Sequence, residues 1–254
     1  MGFYDLSKEI RTKLVKKMKD EIETEINNNQ YNNFLSYASD EDTYIRKKAY
    51  LILARYHRDK KAFRKNVANV IGKLFDHENE LVRQTVVNTL GEIGKYDAEE
   101  VLGILENAMD DDHHKVRNAV MSSLKKMGEK NPKPTLQFAR RFLDHPDPRI
   151  RREVIHGIEL RGRTHPEEVL PLLREVQFEQ NKKVRATIIH VLGQISYKEG
   201  CLKKVLADLK EWDNWSLVQE ALEEIINVHK KYKFSKYSYQ EVQELISLFL
   251  ERKF

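Results

Sequence analysis

Seven of the chain's 17 arginines stand between residues 140 and 163: Arg140, Arg141, Arg149, Arg151, Arg152, Arg161 and Arg163. Four acids share that window, Asp144, Asp147, Glu153 and Glu159, and no lysine does. The chemistry a guanidinium offers best is bidentate hydrogen bonding to a carboxylate or a phosphate. Carboxylate partners would make these arginines scaffold, whereas phosphate partners would make them a grip on an anionic molecule. Arg152, His156, Glu159 and Arg163 follow at steps of four, three and four, so a helix would carry them on one face. Lys182 and Lys183 come 34 residues after Pro148 and Arg149 and extend the basic set.

A second constellation is "KEWDNWSL", which holds both tryptophans of the chain, Trp212 and Trp215, around Asp213 and Asn214. Indole faces attract a cationic ring, and a carboxylate stabilises positive charge that develops as a leaving group departs. Asp213 is thus the candidate catalytic residue, with Trp212 and Trp215 as candidate stacking surfaces. The alternative is a turn in which Asp213 caps the following helix and the tryptophans pack. "DDDHH", Asp110 to His114, has metal-ligand residue types but crowds one turn without a second ligand pair. His156 and His190, one repeat apart, are expected to lie too far apart to share one ion, so no metal and no cofactor is assigned. "HKKYKFSKYSY", His229 to Tyr239, interleaves Lys with aromatics, as a stacking surface for nucleic acid or as a loop before the last helix. No phosphate loop is present.

The elements that must position these residues are repeats. A β-branched residue followed by Arg recurs as Ile45-Arg46, Val82-Arg83, Val116-Arg117, Ile150-Arg151 and Val184-Arg185, spaced by 37, 34, 34 and 34 residues. Asp76, Asp110 and Asp144 precede the Arg by seven, and apolar residues at helical spacing follow it. Leu217-Val218 marks a sixth, degraded copy. Each copy reads as two helices. In one of them Ala98 to Met109 forms the first, "DDDHHK" a turn whose Asp side chains cap the next, and Val116, Val120 and Leu124 a second stripe closed by Gly128. Neither helix buries its stripe alone, so the core forms by stacking. The reading is an all-α, right-handed α-solenoid of about five to six helix pairs. Residues 1–30 form a cap helix with Ile10, Leu14, Met18, Ile22 and Ile26 in one row, 31–228 the repeats, and 229–254 a C-terminal cap opened by a Ser238–Glu241 capping box.

The period and the Asp…Val-Arg frame resemble the HEAT-like family of α-solenoids over roughly residues 32–228. That resemblance implies an Asp–Arg ladder between repeats, which would absorb Arg46, Arg83, Arg117, Arg151 and Arg185. It also implies that the second helices line the binding surface, where the position of His156 recurs as Asn88, Ser122 and His190. "IRREVIHGIELRGRTHPEEVLPLLREVQFEQNKKVRATIIHVLGQIS" further resembles the DNA alkylation-repair glycosylases built from HEAT-like repeats. That implies a basic groove for DNA, with Arg151, Arg152, Arg161 and Arg163 at matching positions. The family's catalytic motif does not align to Asp213.

The chain has 254 residues, 40% hydrophobic and 33% charged, with a net charge of +5. That composition supports a buried core and permits an anionic partner. One cysteine, Cys201, excludes a disulfide framework. No apolar run reaches membrane-spanning length, and "MGFYDLSKEIRTKL" lacks an apolar leader, so a monomeric cytoplasmic protein is expected. The expected function is recognition of an anionic partner, DNA foremost, through Arg149, Arg152, His156, Arg161, Arg163, Lys182, Lys183 and His190. Excision of alkylated bases stays open. An acidic protein segment is the other candidate partner, and a non-enzymatic protein–protein adaptor the alternative function.

Overall fold

The computed structural model describes residues 2–251. The last three residues of the expected C-terminal cap, 252–254, and the first residue of the N-terminal one lie outside that range. Fifteen α-helices and no strand are found among the described residues. A capping helix, α1 (Lys8–Asn27), precedes six helix pairs: α2 (Asn32–Ala38) with α3 (Thr43–Asp59), α4 (Arg64–Leu74) with α5 (Glu80–Gly94), α6 (Ala98–Ala108) with α7 (His114–Lys130), α8 (Pro132–Arg140) with α9 (Pro148–Gly157) and its short continuation α10 (Glu159–Gly162), α11 (Pro166–Glu175) with α12 (Lys182–Gln194), and α13 (Cys201–Leu209) with α14 (Trp215–Lys231). The last helix is α15 (Tyr239–Glu251). None of these helices is long and apolar enough to cross a membrane.

The chain divides into two compact units, residues 1–131 and 132–254. In the first, the second helices α3, α5 and α7 pack side by side and α1 covers α2 and α3. In the second, α9, α12 and α14 form the equivalent row, α11 packs on α13, and α15 closes on α14.

The β-branched residue of each repeat heads a column at i, i+4 and i+8 that a helix turns to one side. Val82, Val86 and Leu90 are buried, as are Val116, Val120 and Leu124, Ile150, Val154 and Ile158, and Val184, Ile188 and Leu192. The sixth copy keeps the column as Leu217, Ala221 and Ile225, all buried, although its Arg is lost. Each fully buried aliphatic side chain contributes roughly 1.5–3 kcal/mol, so the column rather than the Arg defines the repeat. The Ser238–Glu241 capping box forms as the sequence predicts: the Ser238 N–H donates to Glu241 Oε2 at 2.7 Å and the Glu241 N–H to Ser238 Oγ at 3.3 Å.

Three local expectations are corrected. In the turn before α7 the cap is His113, whose Nδ1 accepts from the Lys115 N–H, rather than one of the aspartates. The reason is register: the capping residue stands four before each Arg, as Asp42, Asn79, His113, Asp147 and Asn181. Gly128 does not end α7, which continues to Lys130 and is capped at Asn131. Of the α1 row, Met18, Ile22 and Ile26 are buried while Ile10 is exposed.

Close packing of the second helices is set by Gly91 on α5. A Cβ there would lie 2.5 Å from the Ser123 Cβ and 2.9 Å from the Ser123 Cα of α7. Backbone cannot yield as a side-chain tip does, so Gly91→Ala is expected to force α5 and α7 apart. The net destabilisation should be about 1–3 kcal/mol despite the better helix propensity of Ala. Chemical denaturation measures it, and an unchanged or raised midpoint would contradict this packing.

Candidate functional site

The arginines of the repeat frame come first, because they are scaffold. The Arg83 guanidinium grips Asp111 with Nε at 2.7 Å and Nη2 at 3.0 Å, while its Nη1 donates to the carbonyls of His77 and Glu78. Arg151 repeats the arrangement on Glu179, at 2.7 and 2.9 Å, with Nη1 on the carbonyls of His145 and Pro146. These two arginines form rungs between neighbouring repeats, with the acid 28 residues after the Arg as acceptor, whereas Arg46 and Arg117 donate to carbonyls of their own turns, those of Asp40 and Glu41 and of Asp111 and Asp112. The Asp residues seven before the Arg, such as Asp76 and Asp144, are not these acceptors. Burial works to raise the Asp111 and Glu179 carboxyls. The guanidinium and a backbone N–H outweigh it and hold both below the usual carboxylate range.

The same register places Asp213 at the ladder position of the sixth repeat, 28 residues after Arg185. Arg185 instead reaches Glu220 Oε1 at 2.5 Å and Ser216 Oγ at 3.3 Å, and the Asp213 carboxylate stands exposed on the turn. Asp213 is not the helix cap. Asn214 is, its Oδ1 accepting from the Leu217 N–H at 3.2 Å. Gln177 fixes the turn by accepting the N–H groups of Asp213 and Asn214 at 2.8 and 2.9 Å. Trp212 is buried, with its indole N–H donated to Asp208 at 2.7 Å. Trp215 lies parallel to Phe249, ring centroids 6.3 Å apart. Both indoles are therefore engaged in the end repeat, and a base would reach the face of Trp212 only if this turn opened.

The basic residues divide into engaged and available. Arg161 forks onto Glu168 at 2.9 and 2.5 Å, and its guanidinium keeps that carboxyl below the usual range. Arg149 is exposed and lies on its own capping residue, Asp147, at 2.6 Å. Arg152, Lys182 and Lys183 are exposed, and no ion pair or side-chain hydrogen bond engages them among the described residues. Arg152 is on α9 and the lysines open α12, which packs against α9. Arg149 and Arg152 stand in the first two turns of α9, and Lys182 and Lys183 in the first turn of α12.

Just past the C-terminal end of α9 is a cluster around Glu159, whose side chain is only 1% exposed. Ile158 ends α9, and Glu159 opens α10 between His156 and Arg163. Arg163 Nη2 donates to Glu159 Oε1 and, at 2.9 Å, to Gln194 Oε1. His156 Nε2 lies 2.8 Å from Glu159 Oε2. From α12, His190 Nε2 approaches the same oxygen at 3.9 Å, and its Nδ1 faces Glu224 of α14 at 3.7 Å. The two imidazoles meet edge to face with centroids 5.6 Å apart. The sequence expectation that His156 and His190 are too distant to share an ion is thus corrected. Side-by-side packing of α9 and α12 brings ligand atoms of His156, Glu159 and His190 within 4.8 Å of one another.

Sequence reasoning grouped Arg152, His156, Glu159 and Arg163 on one face but missed Glu159 as the group that organises it. It also missed Glu224, although 156, 190 and 224 continue the 34-residue spacing. The row turns acidic there, with Glu220 and Glu224 on α14 meeting Arg185 and His190, so the basic face ends at α14. The segment His229 to Tyr239 is the end of α14 and the loop before α15. His229 is buried, while Phe234 is exposed and stacks on Tyr232 at 5.0 Å.

The family described as HEAT repeats matches residues 31–125 and 136–227. Among solved structures, AlkD2 from Streptococcus mutans aligns with a TM-score of 0.54 over 88% of this chain and 100% of that one, at 14% identity. The structure of the Pds5-Scc1 complex aligns with a TM-score of 0.51 over 96% of this chain and 41% of that one, also at 14% identity. No curated protein matches the chain. At such identities the likeness is one of fold.

Proposed function

The chain belongs to the HEAT-repeat family, and from that premise we propose that it is a recognition scaffold whose second unit binds the phosphate backbone of DNA. The observation that carries the reading is the set of exposed cations on the opening turns of the neighbouring helices α9 and α12, Arg152, Lys182 and Lys183, joined by Arg149. Here the arginines that the fold consumes, Arg151, Arg161, Arg163 and Arg185, have been subtracted. Evenly presented cations on rigid helices suit a backbone contact that sets register and carries little sequence information. The segment resemblance to the DNA alkylation-repair glycosylases supports DNA over other polyanions. Asp213, Trp212 and Trp215 enter this function as parts of the end repeat, and no base-excision step is assigned to them.

Fluorescence anisotropy with a labelled duplex across a salt series tests the reading. Log K should fall linearly with log[salt], at about 0.9 per neutralised phosphate. A chain that ignores duplex DNA but captures a polyglutamate peptide would instead support the second reading, an adaptor for an acidic protein segment. The Pds5-Scc1 complex, a protein assembly on the same fold, gives that reading its interest.

A further inference from the structure

We infer that His156, Glu159 and His190 form a binding site for a divalent transition-metal ion of the Zn2+ class, with one coordination position open to solvent. His156 and Glu159 stand at i and i+3, the spacing that brings two side chains of a helical segment to one point. His190 arrives from the neighbouring helix.

Zinc bound through imidazole nitrogen and carboxylate oxygen at about 2.0–2.2 Å sets tetrahedral ligand atoms about 3.3 Å apart. The present separations to Glu159 Oε2, 2.8 Å from His156 Nε2 and 3.9 Å from His190 Nε2, lie on either side of that value. Small rotations of the two imidazoles, which are 30% and 44% exposed, would equalise them.

The surroundings match those of a metal site. Glu159 is 1% exposed, and Arg163 holds its other oxygen, leaving Oε2 aimed between the imidazoles. Glu224 faces His190 Nδ1 at 3.7 Å, on the side where an outer carboxylate stands in histidine metal sites. Two imidazoles and a carboxylate select Zn2+, Co2+ or Ni2+ over Mg2+ and Ca2+, which prefer oxygen throughout. With protein beneath and solvent above, the fourth position would take water or an anionic oxygen. The site does not depend on the DNA reading.

Calorimetric titration of the full, chelator-stripped chain with Zn2+, checked by equilibrium dialysis, tests the proposal. One ion per chain is expected, with Mg2+ failing to compete. His190→Ala removes one partly exposed ligand and should weaken binding at least tenfold, as should His156→Ala. His113→Ala/His114→Ala, which deletes the other adjacent imidazole pair, should leave affinity unchanged. Co2+ in place of Zn2+ should give the visible absorption of a low-coordinate centre. Circular dichroism confirms that His190→Ala stays helical, and a folded chain that binds no ion, or binds it equally in His190→Ala, overturns the assignment.

Discussion

Arg163→Ala is expected to lower the unfolding free energy by about 1–3 kcal/mol, less than the loss of a fully buried ion pair because the Arg163 side chain is 27% exposed. Glu159 is 1% exposed, and the Arg163 guanidinium lies on its Oε1. Without Arg163 the carboxylate keeps its burial and loses the guanidinium, leaving His156 at 2.8 Å as its nearest partner. Gln194 Oε1 loses the Arg163 donor at 2.9 Å and keeps the Tyr232 O–H at 3.3 Å, and the Tyr197 ring loses the guanidinium 5.7 Å from its centroid. Adding Glu159→Gln should recover part of the loss, because two neutral groups are cheaper to bury than one unpaired charge. Denaturant midpoints of the two single variants and the double variant form the cycle that measures this. Equal midpoints for Arg163→Ala and the wild type would show that Glu159 does not depend on Arg163.

Glu179→Ala is expected to cost about 2–4 kcal/mol. The Glu179 and Arg151 side chains are 8% and 15% exposed, and the carboxylate also accepts the Asn181 N–H at 2.6 Å. The variant therefore leaves a largely buried guanidinium unpaired and frees a backbone donor at the start of α12. The pH dependence has a definite sign. Glu179 and Asp111 are held below their ordinary carboxylate range in the fold. Each therefore contributes stability that is present above the unfolded value, about pH 4, and disappears as pH falls through the folded value. Wild-type stability should drop below about pH 4, and Glu179→Ala should flatten that drop. A variant with the same acid limb as the wild type would remove Glu179 from this account.

The repeats were legible because each obeys the same constraint: a column at i, i+4 and i+8 that must reach the core. Val82, Val116, Ile150 and Val184 show it plainly, and Leu217 shows it even where the Arg is gone. The capping box at Ser238 and Glu241 was equally local. What escaped depended on neighbours. The ladder acceptor lies in the next repeat, 28 residues on, whereas the nearer recurrent Asp catches the eye first. His113 caps α7 because of its place in the register, although three aspartates beside it have the stronger intrinsic preference. Trp212, Asp213 and Trp215 looked like a site because their types are rare and adjacent. Packing and the Gln177 hydrogen bonds account for their turn. Glu159 was inconspicuous because it occurs once, and only the side-by-side helices place His190 above it.

In the proposed function, Arg152 on α9 and Lys182 and Lys183 on α12 grip a phosphate backbone. The direct measurement is duplex affinity and its salt slope for Arg152→Glu/Lys182→Glu/Lys183→Glu beside the wild type. These side chains are exposed and hold no ion pair among the described residues, so each reversal should change stability by less than about 0.5 kcal/mol. Affinity should fall by at least about a hundredfold at moderate salt, and the slope of log K against log[salt] should shrink by about 0.9 for each phosphate that is no longer neutralised. A folded triple variant with wild-type affinity and slope would contradict the claim.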